Sequence, residues 1–191
     1  MKTSPAAALT KRDLCRRSVL LCILFLRNLA YYRTGQSERG RHLLDPSEPT
    51  VNFWRQAYSN FIDMCVLDWC KLFADKRAVH HWQKIVSDAA EFEIDLLAYL
   101  GITADKLQSL IEKFRVYRNK FVAHLDEFNV MDIPTLDLAA KAIRFFHAHV
   151  VTNEVQAGDL AGIATDTPDK FHRGYDQCVD EAARVIQRFS A

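Results

Sequence analysis

Apolar residues recur at helical spacing along most of the chain, and Gly, Pro and helix-capping residues fall almost wholly between or at the starts of the periodic runs, with Gly174 the one exception inside a run. Met1 to roughly Lys11 is small and polar and is expected to be loose. A first helix is predicted from about Arg12 to Thr34, ending at Gly35, where glycine can take the left-handed cap conformation. Residues 35–50 hold two Gly and two Pro and read as a loop, either a plain surface excursion or a lid or partner contact. A second helix, about Asn52 to Ala74, carries Trp54, Tyr58, Phe61, Cys65, Trp69 and Leu72 in one stripe, and Phe53, Ala57, Ile62, Leu67 and Phe73 widen it. That breadth predicts a central helix buried over much of its surface. Asp63 and Asp68 are then expected on its solvent side or reaching toward a basic neighbour.

Asp75 to Val86 is a connecting segment with adjacent His80 and His81 before Trp82, and no third ligand lies at metal-site spacing. Ser87 or Asp88 is expected to cap a helix to Leu100, with Asp88 and Glu91 spaced as a capping box and Gly101 closing it. Thr103 caps the next helix, expected to run to about Asp126. Pro134 precedes a helix over 135–152 with Leu138, Ala142, Phe145, Phe146 and His149 inward; residues 153–166 read as a loop. Thr167, Pro168 and Asp169 start a last helix with Phe171, Tyr175, Val179, Ala182, Ile186 and Phe189 on one face. No strand pattern or internal repeat appears. The expectation is an all-α fold, an antiparallel bundle of five or six helices forming one domain over 12–191 behind a loose segment 1–11.

Composition changes this picture little. The 191 residues, 49% of them hydrophobic, suffice for one ordinary core. The net charge of +1 conceals an uneven distribution: residues 1–41 hold nine Lys or Arg against two acids, and the remainder sixteen against twenty-two. A basic arm for nucleic acid or an acidic partner and a solvated helix end both fit that pattern. Cys15, Cys22, Cys65, Cys70 and Cys178 are odd in number, lie in apolar runs and form no CxxC pair, which predicts reduced core thiols in a cytoplasmic protein. Arg16 and Arg17 before the apolar run Val19–Leu26 imitate a targeting signal, but the run is too short to span a bilayer and continues a helical face, so a core helix is expected and no membrane partner.

Reactive side chains concentrate in one stretch, Glu112 to Glu127, EKFRVYRNKFVAHLDE. Phe114, Arg118, Phe121 and Leu125 recur at helical spacing, so Lys113, Arg115, Arg118 and Lys120 flank an amphipathic helix that carries His124 near its end. Arg144 and His149 also fit a pattern of an Arg followed by a His after four to six intervening residues. There, however, Phe145 and Phe146 follow the arginine, whereas Arg118 is followed by the polar Asn119 in a basic segment, and the second pair reads as coincidence on a core helix.

The segment RNKFVAHLD resembles the signature of the HEPN superfamily (higher eukaryotes and prokaryotes nucleotide-binding), in particular its abortive-infection-type members. The resemblance spans about ten residues and is supported outside them by the helical pattern alone. It implies a metal-independent RNA-cleaving centre of Arg118 and His124, with Asn119 in the polar position after the arginine. It also implies an endoribonuclease without cofactors, with a role such as the toxin of a host-defence or toxin–antitoxin system.

Residues six apart on a straight helix are separated by about 120° and about 9 Å of rise, so Arg118 and His124 of one chain would not meet. Two chains packed about a two-fold axis would bring two Arg and two His to one cleft, which predicts a homodimer. Imidazole suits proton transfer, and guanidinium suits a phosphorane dianion. Asn119 would orient substrate or its neighbour, Tyr117 or Phe121 would stack a base, and Lys113, Arg115 and Lys120 would track the RNA backbone. The competing reading is structural: Arg118 pairs with an acid on a neighbouring element, His124 is a hydrogen-bonded helix-end residue, and Tyr117 and Phe121 are core. Two other classes stay open, a non-catalytic HEPN-like module binding a nucleotide, RNA, an antitoxin or another protein partner, and a purely structural interaction domain.

Overall fold

The computed structural model describes residues 9–123, 133–163 and 165–189, and the regular elements among them are all helical. Six helices have twelve or more residues: α1 (Lys11–Gln36), α3 (Val51–Trp69), α5 (Ala89–Leu100), α6 (Ala104–Tyr117), α7 (Leu136–His149) and α8 (Pro168–Arg188). Two single-turn helices, α2 (Glu38–Arg41) and α4 (Trp82–Ile85), lie in stretches read from sequence as loop or connection. The all-α expectation therefore holds, with the long helices at the upper end of the predicted number. Most of the segment expected to be loose lies outside the described residues.

The hub is α1 rather than the predicted second helix. It packs most extensively on α3 and α8 and also meets α7, because Cys15, Val19, Cys22, Phe25, Leu26, Leu29 and Ala30 recur every three or four residues and are all buried. The run that imitates a targeting signal is part of this buried stripe. Among the described residues no helix is long and apolar enough to cross a membrane. The start of α1 is set by Thr10, whose side chain accepts from the Asp13 amide while its own amide donates to Asp13 Oδ2 at 3.1 Å. The five cysteines are free thiols, four of them buried.

Gly35 is not a helix terminator. It lies buried inside α1, and a Cβ there would come within 2.2 Å of the Tyr58 ring, so its role is to let α3 press an aromatic ring onto the α1 backbone. Gly101 does take the left-handed cap conformation, at φ 65°, and Asp88, Thr103 and Thr167 cap the helices that follow them as their sequence positions predict.

Three helices end in wider π turns, Cys70–Ala74, Arg118–Ala123 and Val150–Glu154, which apolar periodicity did not foretell. On α7 it is His147 that is fully buried, stacked on Phe171 at 3.7 Å between ring centroids, while the His149 predicted to face inward is only half-buried. Of the two expectations for Asp68 the second holds: it is fully buried rather than on the solvent side, and its Oδ1 accepts from the basic Lys71 Nζ at 3.0 Å. Of the predicted face of α8, only Phe171 and Ile186 are fully buried, and Phe189 is largely exposed.

Candidate functional site

The motif helix is anchored along one rail, the second half of α3 and the π turn that ends it. On α6, Leu107, Leu110, Ile111, Phe114 and Tyr117 form the buried stripe, and Phe114 packs on Trp69 with ring centroids 4.2 Å apart. The next three contacts climb the rail. Tyr117 donates its hydroxyl to Asp63 Oδ1 at 2.8 Å, Arg115 donates through Nη2 to the Ala74 carbonyl, and Arg118 reaches Asp75.

Tyr117 is fully buried, and burial together with the Asp63 hydrogen bond pushes its phenol pKa up. It is a core residue, so the expectation that it stacks a base is withdrawn, and the structural alternative describes it correctly. Asp63 is the matching half of that contact: burial pushes its carboxyl up, opposed by the bond from Tyr117.

Arg118 opens the π turn Arg118–Ala123, where the predicted α-helix was to continue to Asp126. Its Nη1 donates to both Asp75 oxygens at 2.6 Å, and its Nε donates to Asn119 Oδ1 at 3.2 Å. Those bonds hold the guanidinium charged, with its pKa raised chiefly by the Asp75 hydrogen bonds. Nη2 makes no hydrogen bond among the described residues, so one edge of the fork remains unspent. Asn119 is exposed and fixes its neighbour, one of the two roles expected of it.

The other basic residues divide. Lys113 is exposed. Arg115 is part-buried and committed to capping the helix end at Ala74, with Glu112 at 3.9 Å on its other side, so its first duty is to the fold. Lys120 is half-buried on the π turn. His124 and the Phe121 side chain lie outside the described residues. Arg144, read as coincidence, contacts His172 and lies over the Tyr175 ring at 5.0 Å, on elements other than the motif helix.

Asp75 is the residue that sequence reading missed. It follows the α3 stripe directly and stands 43 positions from Arg118, and only the docking of two helix ends brings the pair together. The available signal was an acid at the end of a long apolar helix. The site as described thus comprises Arg118, Asn119 and Asp75 with Lys113 and Lys120 on its flank. It can present a cationic fork beside an amide and exchange an internal carboxylate for an external anion. Comparison of the chain with protein families, with curated proteins and with solved structures finds no match.

Proposed function

We propose that the protein is a metal-independent HEPN-type endoribonuclease whose composite Arg/His site forms when two chains pair, with a role such as the toxin of a host-defence or toxin–antitoxin system. The observation that carries this reading is the placement of Arg118. It opens a π turn, a local widening that recurs at functional sites, and it is held through Nη1, with Nη2 making no hydrogen bond among the described residues and Asn119 exposed beside it. The RNKFVAHLD resemblance supplies the family, and the helical fold is compatible with it.

In the proposed reaction His124 of one chain takes the proton of a ribose 2′-OH, the 2′ oxygen attacks phosphorus, and the P–O5′ bond breaks. His124 of the other chain protonates the departing 5′ oxygen, leaving a 2′,3′-cyclic phosphate and a 5′-OH. Arg118 grips the non-bridging oxygens as negative charge builds on them, once phosphate has displaced Asp75. Lys113 and Lys120 contribute sequence-independent backbone attraction.

The test is cleavage of a panel of structured and unstructured RNAs in EDTA, with the product ends identified. Cleavage leaving cyclic phosphate is expected, abolished in His124→Ala and nearly so in Arg118→Lys, which keeps the charge but loses the planar fork. Light scattering should give a dimer at micromolar concentration. A second reading, a non-catalytic module that binds RNA, a nucleotide or a protein partner, is favoured by the double acceptance of Arg118 Nη1 by Asp75. RNA binding without cleavage, or a His124→Ala variant as fast as the parent, would select it.

A further inference from the structure

A second candidate site lies on other elements. Between α1, α3 and α8 a half-open cavity of about 200 Å³ is lined by Tyr31, Trp54, Tyr58, Phe61, Glu181 and Ile186, among others. An enclosed apolar cavity of roughly 150 Å³ is enough to hold benzene, so this one accommodates a single ring with a short arm. Its wall is a chain of aromatic rings: Tyr31 meets Phe61 edge-on at 5.3 Å, Phe61 lies 6.4 Å from Tyr58, and Tyr58 lies 5.7 Å from Trp54. Ring faces carry negative potential and attract cations.

The one carboxylate on the wall has the same sign. Glu181 is exposed and accepts from the Tyr31 hydroxyl at 2.9 Å through Oε2, but it joins no ion pair among the described residues, unlike Asp75, Glu154, Asp137 and Asp166. The polar atoms of two lining residues lie out of a ligand's reach behind their rings. Trp54 Nε1 and the Tyr58 hydroxyl are shielded from water and have no hydrogen-bond partner among the described residues, although Trp54 is 7% and Tyr58 4% exposed. Glu181 is thus a carboxylate on an aromatic wall, with its charge uncompensated by any ion pair among the described residues.

We propose that this cavity binds a small organic ammonium carried on one aromatic ring, with the ammonium at Glu181 and the ring against the aromatic wall. The site is independent of the motif, since none of its residues lies on α6, and a failed nuclease assay would leave it standing.

The probe is tyramine, compared with its uncharged analogue 4-(2-hydroxyethyl)phenol and with the anion 3-(4-hydroxyphenyl)propionate. Binding is followed by titration calorimetry and by the indole N–H resonance of Trp54, assigned with Trp54→Phe. Tyramine should bind in the millimolar range or tighter and shift that resonance, the uncharged analogue should bind roughly tenfold more weakly, and the anion should not bind. Glu181→Gln keeps an acceptor for Tyr31 and should cost tyramine roughly tenfold while leaving the circular dichroism and the affinity for the uncharged analogue unchanged. No tyramine binding, equal affinity for the charged and uncharged probes, an unmoved Trp54 resonance, or an unaffected Glu181→Gln variant would each overturn the proposal.

Discussion

The side chain that decides the candidate site is Asp75. It holds Arg118 in place within one chain, yet it occupies the position a phosphate would need. Its carboxylate is 35% exposed and the arginine side chain 21%, so screening by water keeps the contribution of the pair to stability below about 1 kcal/mol. The electrostatic effect on an incoming polyanion is less forgiving, because the carboxylate lies 2.6 Å from the guanidinium that would receive it. Asp75→Asn is therefore expected to tighten binding of a single-stranded RNA several-fold in fluorescence polarisation at low salt, while urea denaturation shifts by less than about 1 kcal/mol. Weaker or unchanged RNA binding would show that Asp75 does not compete with phosphate. Both of the sequence-level alternatives for Arg118 thus have something to explain: the ion pair with an acid is present, and Nη2 makes no hydrogen bond among the described residues. Residue type and spacing made the basic stretch legible. They could not reveal Asp75, because a contact across 43 positions depends on which helix ends dock, and they left Tyr117 open between stacking a base and the core, which its burial and its bond to Asp63 decide.

Helix boundaries were the most legible feature of the elements, because capping is local chemistry. Asp88 accepting from the amides of Ala90 and Glu91, Thr103 from Lys106, and Thr167 from Lys170 are all contacts within three residues, and each was readable from its tetrapeptide. The π turns were not, since the extra residue in each is tolerated by tertiary packing rather than announced by composition. Gly35 failed for a related reason. A glycine near the end of an apolar run has the same signature whether it caps the helix or makes room for a neighbour, and here Tyr58 decides it. Replacing a mid-helix glycine by alanine ordinarily stabilises by about 1 kcal/mol. At Gly35 the new methyl would lie 2.2 Å from Tyr58 Cε1, well inside contact distance, and overpacking of this kind costs about 1–3 kcal/mol. The net expectation is that Gly35→Ala lowers the unfolding free energy and perturbs the near-ultraviolet signal of the Tyr58 cluster. A variant as stable as the parent would mean that the α1–α3 contact is looser than its geometry indicates.

At the scale of the molecule, Glu154 ties together segments that α1, α5 and α7 would otherwise leave frayed. Its side chain is 2% exposed and accepts from the Ser87 amide and hydroxyl at 2.7 Å, from Lys11 at 2.9 Å and from His149 at 3.2 Å, joining the start of α1 and the entry to α5 to the end of α7. Burial pushes this carboxyl up, but the hydrogen bonds from Ser87 and Lys11 outweigh it and hold the pKa at about 2. A carboxyl depressed from its ordinary 4.5 contributes stability that is complete above that value and is lost as pH falls toward 2, on the order of 3 kcal/mol in all. Two buried histidines act at higher pH. His81 Nδ1 accepts from the Gln83 amide as the cap of α4, His147 Nε2 bonds the Thr165 carbonyl, and burial pushes both down to about 4. Each is neutral when folded and protonates readily when unfolded, so stability falls as pH drops from 6.5 toward 4, by on the order of 3 kcal/mol per histidine. Together they approach the scale of a whole domain's stability, about 5–15 kcal/mol, so the acid transition is expected to begin below pH 6.5 and to be far advanced before the carboxyl titrates. Glu154→Gln should accordingly lower the urea-derived unfolding free energy by about 2–3 kcal/mol at pH 7, where the carboxylate is fully charged, and retain the histidine-driven decline between pH 6.5 and 4.5. Parent and variant curves should then converge as pH falls below 4.5, the window in which the parent loses its own carboxylate. A variant matching the parent at pH 7, or a gap that persists unchanged down to the acid limit, would show that the Glu154 charge is not what binds the three segments together.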